Sequence, residues 1–133
     1  MAQVSWIICC EEFQIKENGL CDAKNILFEL HTPQVPIVGK IALDIAALWR
    51  SENWQDEKET TIRIALVFPD GTVHPSNETW ILNFTSPQVL WYKRITDIYL
   101  HQYGYTAIAI QAMEDGDWIT KKEFPVMVMG ENE

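Results

Sequence analysis

The stretch Trp6–Lys24 reads "WIICCEEFQIKENGLCDAK" and carries all three cysteines of the chain beside three glutamates. It is either a metal or redox site, or a strand running through a tight turn into a second strand. Strand geometry favours the second reading. Cys9 and Cys10 are adjacent, and neighbouring side chains of a strand point to opposite faces, so the pair cannot readily chelate one ion. A structural zinc site draws four ligands, usually from paired CxxC or CxxH units, and His31, His74 and His101 are scattered far from the cysteines. A nucleophilic cysteine needs a cation to hold its thiolate, whereas Cys10 is followed by Glu11 and Glu12. "IICC" therefore reads as strand and "ENG" as a turn made by Asn18 and Gly19. One of the adjacent cysteines is expected in the core, the other facing solvent or a neighbouring sheet. Whether Cys21 comes within reach of either depends on the register across that turn.

Working outward, the same period of two recurs along the chain. In "KIALDIAALWR" the positions Ile41, Leu43, Ile45, Ala47 and Trp49 are all apolar, which predicts a half-buried strand. "TTIRIALVF" (60–68) puts Ile62, Ile64, Leu66 and Phe68 on one face, and "PDGT" follows as a turn with Gly71 at positive φ. "TWILNF" is a further short strand. "YTAIAIQAM" (105–113) places Ile108, Ile110 and Ala112 together and ends at the turn "EDGD". "WITKKEFPVMVM" is a strand broken or bulged near Pro125, either at a sheet edge or switching between sheets, because proline cannot donate to a ladder. Residues 91–103 fit helical and strand spacing alike; a loop through "SPQVLWYK" and a strand at 95–101 is the reading adopted. "RSENWQDEKET" (50–60) is a solvated connection carrying an exposed Trp54. Together these give about eight short antiparallel strands in a single domain, 1–133: an all-β sandwich of immunoglobulin-like, Greek-key type.

The succession "IICCEE", "KENG", "NILFEL", "TPQVPIVGKIALDIAALWR", "FPDG" and "GYTAIAIQAMEDG" resembles a family of small uncharacterised bacterial proteins, a domain of unknown function. The likeness spans residues 5–130 and implies one β-sandwich. Glu11 stands where the pattern expects aspartate, and Leu20 and Cys21 where lysine is usual. The family implies no activity and hence no site residues.

Charge narrows the function. With 19 acidic against 10 basic residues the net charge is −9, the wrong sign for a nucleic-acid footprint or for acidic lipid. The first residues lack a positively charged leader and no apolar run approaches the ~20 residues of a membrane span, so the expected location is the cytoplasm, with reduced thiols. No P-loop, dinucleotide fingerprint, HExxH or GxSxG motif occurs, and no cofactor is implied. The acidic pairs Glu11/Glu12, Asp56/Glu57 and Asp115/Asp117 read as surface and turn chemistry. "EDGD" could lend oxygens to calcium but lacks the rest of a calcium loop.

Six tryptophans are the remaining functional signal. Trp6, Trp49 and Trp80 fall on expected strands and are assigned to the core. Trp54, Trp91 and Trp118 fall in or beside connections, where aromatics anchor protein interfaces or stack on sugars. The leading expectation is a non-enzymatic binding or assembly module with a protein partner, a second copy included. A carbohydrate-binding sandwich using the loop tryptophans, and a metal- or thiol-dependent enzyme using Cys10, Cys21 and a distant histidine, are the alternatives.

Overall fold

The computed structural model describes residues 1–38, 42–57, 59–96 and 98–131. Within them run twelve strands and one short helix: β1 (Gln3–Ile15), β2 (Cys21–Ile26), β3 (Glu29–Thr32), β4 (Ile37–Val38), β5 (Leu43–Arg50), α1 (Trp54–Glu57), β6 (Glu59–Val67), β7 (Val73–Pro75), β8 (Trp80–Asn83), β9 (Gln88–Ile95), β10 (Tyr99–Leu100), β11 (Gly104–Glu114) and β12 (Asp117–Gly130). The chain is thus all-β, with more strands than the eight expected. The surplus comes from pieces of two to four residues (β3, β4, β7, β10), too short to show a period in the sequence. No helix among the described residues is long and apolar enough to cross a membrane.

The strands form a four-stranded sheet in the order β2-β1-β5-β9 and a larger sheet in the order β3-β12-β11-β6-β7, with β8 also on β6; β4 and β10 make a two-stranded ladder. Every pairing is antiparallel except β12 with β3. Both sheets contribute to one core. Ile7 and Cys9 of β1 and Leu43, Ile45, Ala47 and Trp49 of β5 meet Ile62 and Ile64 of β6, Ile108 and Ile110 of β11, and Val126 and Val128 of β12. Leu43, Ile45, Ala47, Trp49, Ile62, Ile64, Ile108 and Ile110 are alternating positions read from the sequence, whereas Ile7, Val126 and Val128 are not singled out there; Ile41 lies outside the described residues.

Three turns follow their sequence chemistry. Asn18 (φ 60°) and Gly19 (φ 76°) both take the left-handed conformation, so the mirror-image turn twists β1 and β2 into register. Asp115 (φ 50°) and Gly116 (φ 85°) do the same between β11 and β12. At Phe68–Thr72 the Gly71 N–H donates to the Phe68 carbonyl at 2.8 Å.

Other expectations need correction. Residues 88–93 are not a loop: β9 pairs with β5 through eight residues, from Gln88↔Arg50 to Ile95↔Leu43, and of the strand expected at 95–101 the described residues place only Ile95 and Tyr99–Leu100 in strands. Along β9, Val89, Leu90, Trp91 and Tyr92 are followed directly by Lys93 and Arg94, so no period of two marks it as a strand. Trp91 therefore sits on a strand and not in a connection. Trp54 opens α1 and packs half-buried against the core instead of facing solvent. β12 runs unbroken through Pro125, which pairs with Ala107; the register shift falls earlier, where Ile110 faces Lys122 and Gln111 faces Thr120. Proline is tolerated because β3 covers only Met127–Gly130, leaving β12 an edge at Pro125.

One polar group is built into this apolar frame. Asp44 lies on β5 between β1 and β9, 6% exposed. Its carboxylate accepts the Phe13 backbone N–H at 2.8 Å and the Arg94 Nε–H at 3.0 Å, while Arg94 Nη2 also donates to the Glu11 carbonyl at 3.2 Å. Removing the carboxylate leaves a buried N–H without an acceptor. Asp44→Ala is expected to cost about 2 kcal/mol in urea unfolding. Asp44→Asn, which keeps an acceptor for Phe13, is expected to lose less.

Candidate functional site

The outer face of the four-stranded sheet is built by the residues that alternate with the core. Cross-strand register places Trp6, Leu48 and Leu90 in one row, Ile8, Ala46 and Tyr92 in the next, and Cys10, Asp44 and Arg94 in the third. Cys10, Phe13 and Ala46 are buried here, with Trp6, Ile8, Ala23 and Leu90 packed half-buried around them. The Phe13 ring lies 5.4 Å from that of Tyr92, which is 45% exposed. Phe13 joins Cys10 although three positions separate them, so strict alternation fails between the two. The bond from Phe13 N–H to Asp44 holds the strand in that offset. The result is an apolar strip spanning β1, β5 and β9, bounded at one end by the Asp44–Arg94 pair.

The outer face of the larger sheet differs. Arg63 Nε–H donates to Gln111 at 2.7 Å, Gln111 Nε2 donates to the Thr120 hydroxyl at 3.0 Å, and the Arg63 guanidinium lies 4.4 Å from the centre of the Trp118 ring. Nearby, Lys121 pairs with Glu114 at 2.6 Å. Polar side chains here satisfy one another, while Val73, Tyr105 and Met113 are exposed elsewhere on the same face.

A third feature is a cleft of about 250 Å3 between the two sheets. Leu43, Ile45, Ile64, Leu66 and Ile108 form its apolar floor, and Lys93, Glu78, His74 and Tyr99 stand among its walls. Trp80 closes one side and packs on Trp91 at 5.4 Å between ring centres. Beside the cleft, the Tyr99 hydroxyl is 3.2 Å from His101 Nδ1, and His101 Nε2 is 3.5 Å from Asp70. The Thr72 hydroxyl and main-chain N–H hold the Asp70 carboxyl below its usual range, and Gln102 Nε2 donates to it at 3.1 Å. This group ties the turn after β6 to the residues after β10.

The cysteines do not gather. Cys9 and Cys10 point to opposite faces, as strand geometry requires, but Cys10 is buried in the outer cluster instead of facing solvent. Cys21 pairs with Ile15 while Cys10 pairs with Ile26, which puts Cys21 about 17 Å further along the hairpin. All three are free thiols. Among the described residues no three histidine, cysteine or carboxylate side chains come close enough to hold a metal ion.

The three tryptophans expected at an interface sit apart: Trp54 opens α1, Trp91 lies on β9 against Trp80, and Trp118 lies under Arg63. Among the described residues no ring contact joins them. Trp6, assigned to the core from its strand position, belongs to the outer strip. Sequence reasoning missed that strip because its members are interleaved with the core set along the same strands. The readable signal was "IALDIAALW", where the even positions are nearly as apolar as the odd ones. Comparison with protein-family models finds no matching family, and no curated protein matches the chain.

Burial pushes the Cys9 and Cys10 thiols up, and the Asp44 charge raises Cys10 further. Both groups stay protonated and shielded at neutral pH. A thiol titration with a disulfide reagent is expected to count one reactive cysteine, Cys21, in the native protein and three in denaturant.

Proposed function

We propose that the protein is a non-enzymatic binding or assembly module: a single immunoglobulin-like β-sandwich, cytoplasmic, of the kind its sequence resembles. It meets a protein partner, in the simplest case a second copy of itself, through the outer face of the four-stranded sheet. One observation carries this reading. β5 is buried on both its faces, with Ala46 as inaccessible as Ile45, and the strip over it presents Trp6, Ile8, Leu48, Leu90 and Tyr92. The outer face of an antiparallel sheet ordinarily alternates to polar residues, and contiguous apolar surface marks interaction sites. Tryptophan and tyrosine supply large contact area with few rotatable bonds, which suits them to such a surface. The net charge of −9 keeps the free protein dispersed. Two copies would therefore associate through apolar contact against a mutual repulsion that salt screens.

Light scattering across a concentration series tests the proposal. Self-association that strengthens with added salt, and that is lost in Leu90→Glu with the circular dichroism spectrum unchanged, is the expected result. A wild-type protein that stays monomeric throughout and retains no partner from its native lysate would overturn it.

A further inference from the structure

The cleft between the sheets has no part in that interface. Its floor is the inner face of both sheets: Leu43 and Ile45 from β5, Ile64 and Leu66 from β6, and Ile108 from β11. That floor offers water no hydrogen-bond partner, so an apolar group is the better occupant there. Its polar groups stand at the walls. Lys93 is the decisive one. It is directly paired with Ile45 across β5 and β9, and paired residues share a face, so Lys93 belongs to the inner side of its sheet. Among the described residues its ammonium makes no ion pair, whereas neighbouring Arg94 is held by Asp44. Trp80 adds a buried indole N–H that has no acceptor among the described residues.

We propose that this cleft binds a small amphipathic carboxylate, its apolar body lying on the isoleucine and leucine floor and its head group reaching Lys93. The size excludes larger lipids: 250 Å3 is below the roughly 300–1,000 Å3 of drug-sized sites. The sign follows from the walls. Lys93 and Arg94 stand on the β9 side, His74 and Glu78 on the opposite side, and the Arg94 charge is already matched by Asp44. Lys93 thus supplies the charge for an anion, and Glu78 is the group that would instead favour a cation. An inward lysine on an edge strand also discourages strand addition. That role requires no cleft beside it, and it makes a different prediction for the same substitution.

The test uses octanoate, octan-1-ol and octylamine as probes, read by calorimetry and by tryptophan fluorescence, since Trp80 lines the cleft. Octanoate is expected to bind at least tenfold more tightly than octanol or octylamine. Lys93→Met, which keeps the apolar stem, is expected to bring octanoate down to the level of octanol while leaving octanol unchanged. Tighter binding of octylamine, or equal binding of octanoate by wild type and Lys93→Met, would overturn the proposal. So would the absence of heat and fluorescence change with all three probes. Ile108→Trp, which fills the floor, is expected to abolish all binding; retention of octanoate by a folded Ile108→Trp protein would place the site elsewhere.

Discussion

The Asp44 carboxylate is the constraint around which the four-stranded sheet is arranged. It is an acid on a strand that is otherwise closed to solvent on both faces, and burying a charge is costly unless it is paired and hydrogen-bonded. Here it meets both conditions: a main-chain N–H from β1 on one side and a guanidinium from β9 on the other. Each of its neighbours is fixed as a result. The bond to Phe13 sets the offset that swings the Phe13 ring onto the outer face, where it covers Cys10 and reaches Tyr92. The bond to Arg94 orients the edge strand and removes that cation from the cleft on the other side. A leucine at position 44 would bury more apolar area, yet it would leave the Phe13 N–H unsatisfied and Arg94 without its carboxylate.

Much of this fold was legible in the sequence, and the boundary of legibility has a physical cause. Strands with one apolar and one polar face, such as Thr60–Phe68 and Tyr105–Met113, announce themselves by their period, and their turns do so by Asn-Gly and Asp-Gly pairs that tolerate positive φ. Three things could not be read in this way. β9 was hidden because an edge strand exchanges ladder bonds on one side only and can carry Tyr92, Lys93 and Arg94 in succession. Strands of two or three residues such as β10 and β7 owe their existence to a partner, not to local preference. The outer apolar strip was hidden because it shares strands with the core: where both faces are apolar, periodicity ceases to separate them. Composition singled out Trp54, Trp91 and Trp118, but composition does not say which aromatics share a surface, and these three lie apart.

The two outer faces cover their small residues with different neighbours. On the larger sheet, Ala65 and Ala109 are fully buried, with Pro75 paired to the one and Glu123 to the other, and Trp118 is capped by Arg63. On the four-stranded sheet the neighbours of Ala46 are Ile8 and Tyr92, which shield it by presenting more apolar surface.

A similar contrast explains why the sheets part where they do. Over most of their area the inner faces interdigitate, with Trp49 fully buried and Val126 and Val128 against it in one core. Toward β9 the inner position opposite Ile45 is Lys93, a side chain whose charged end must reach water or a counter-charge. An isoleucine there would extend the apolar inner face, whereas lysine sets a cation beside the apolar floor of the cleft. Its alternation with Trp91 and Ile95 marks Lys93 as inward, and its chemistry keeps it out of the core.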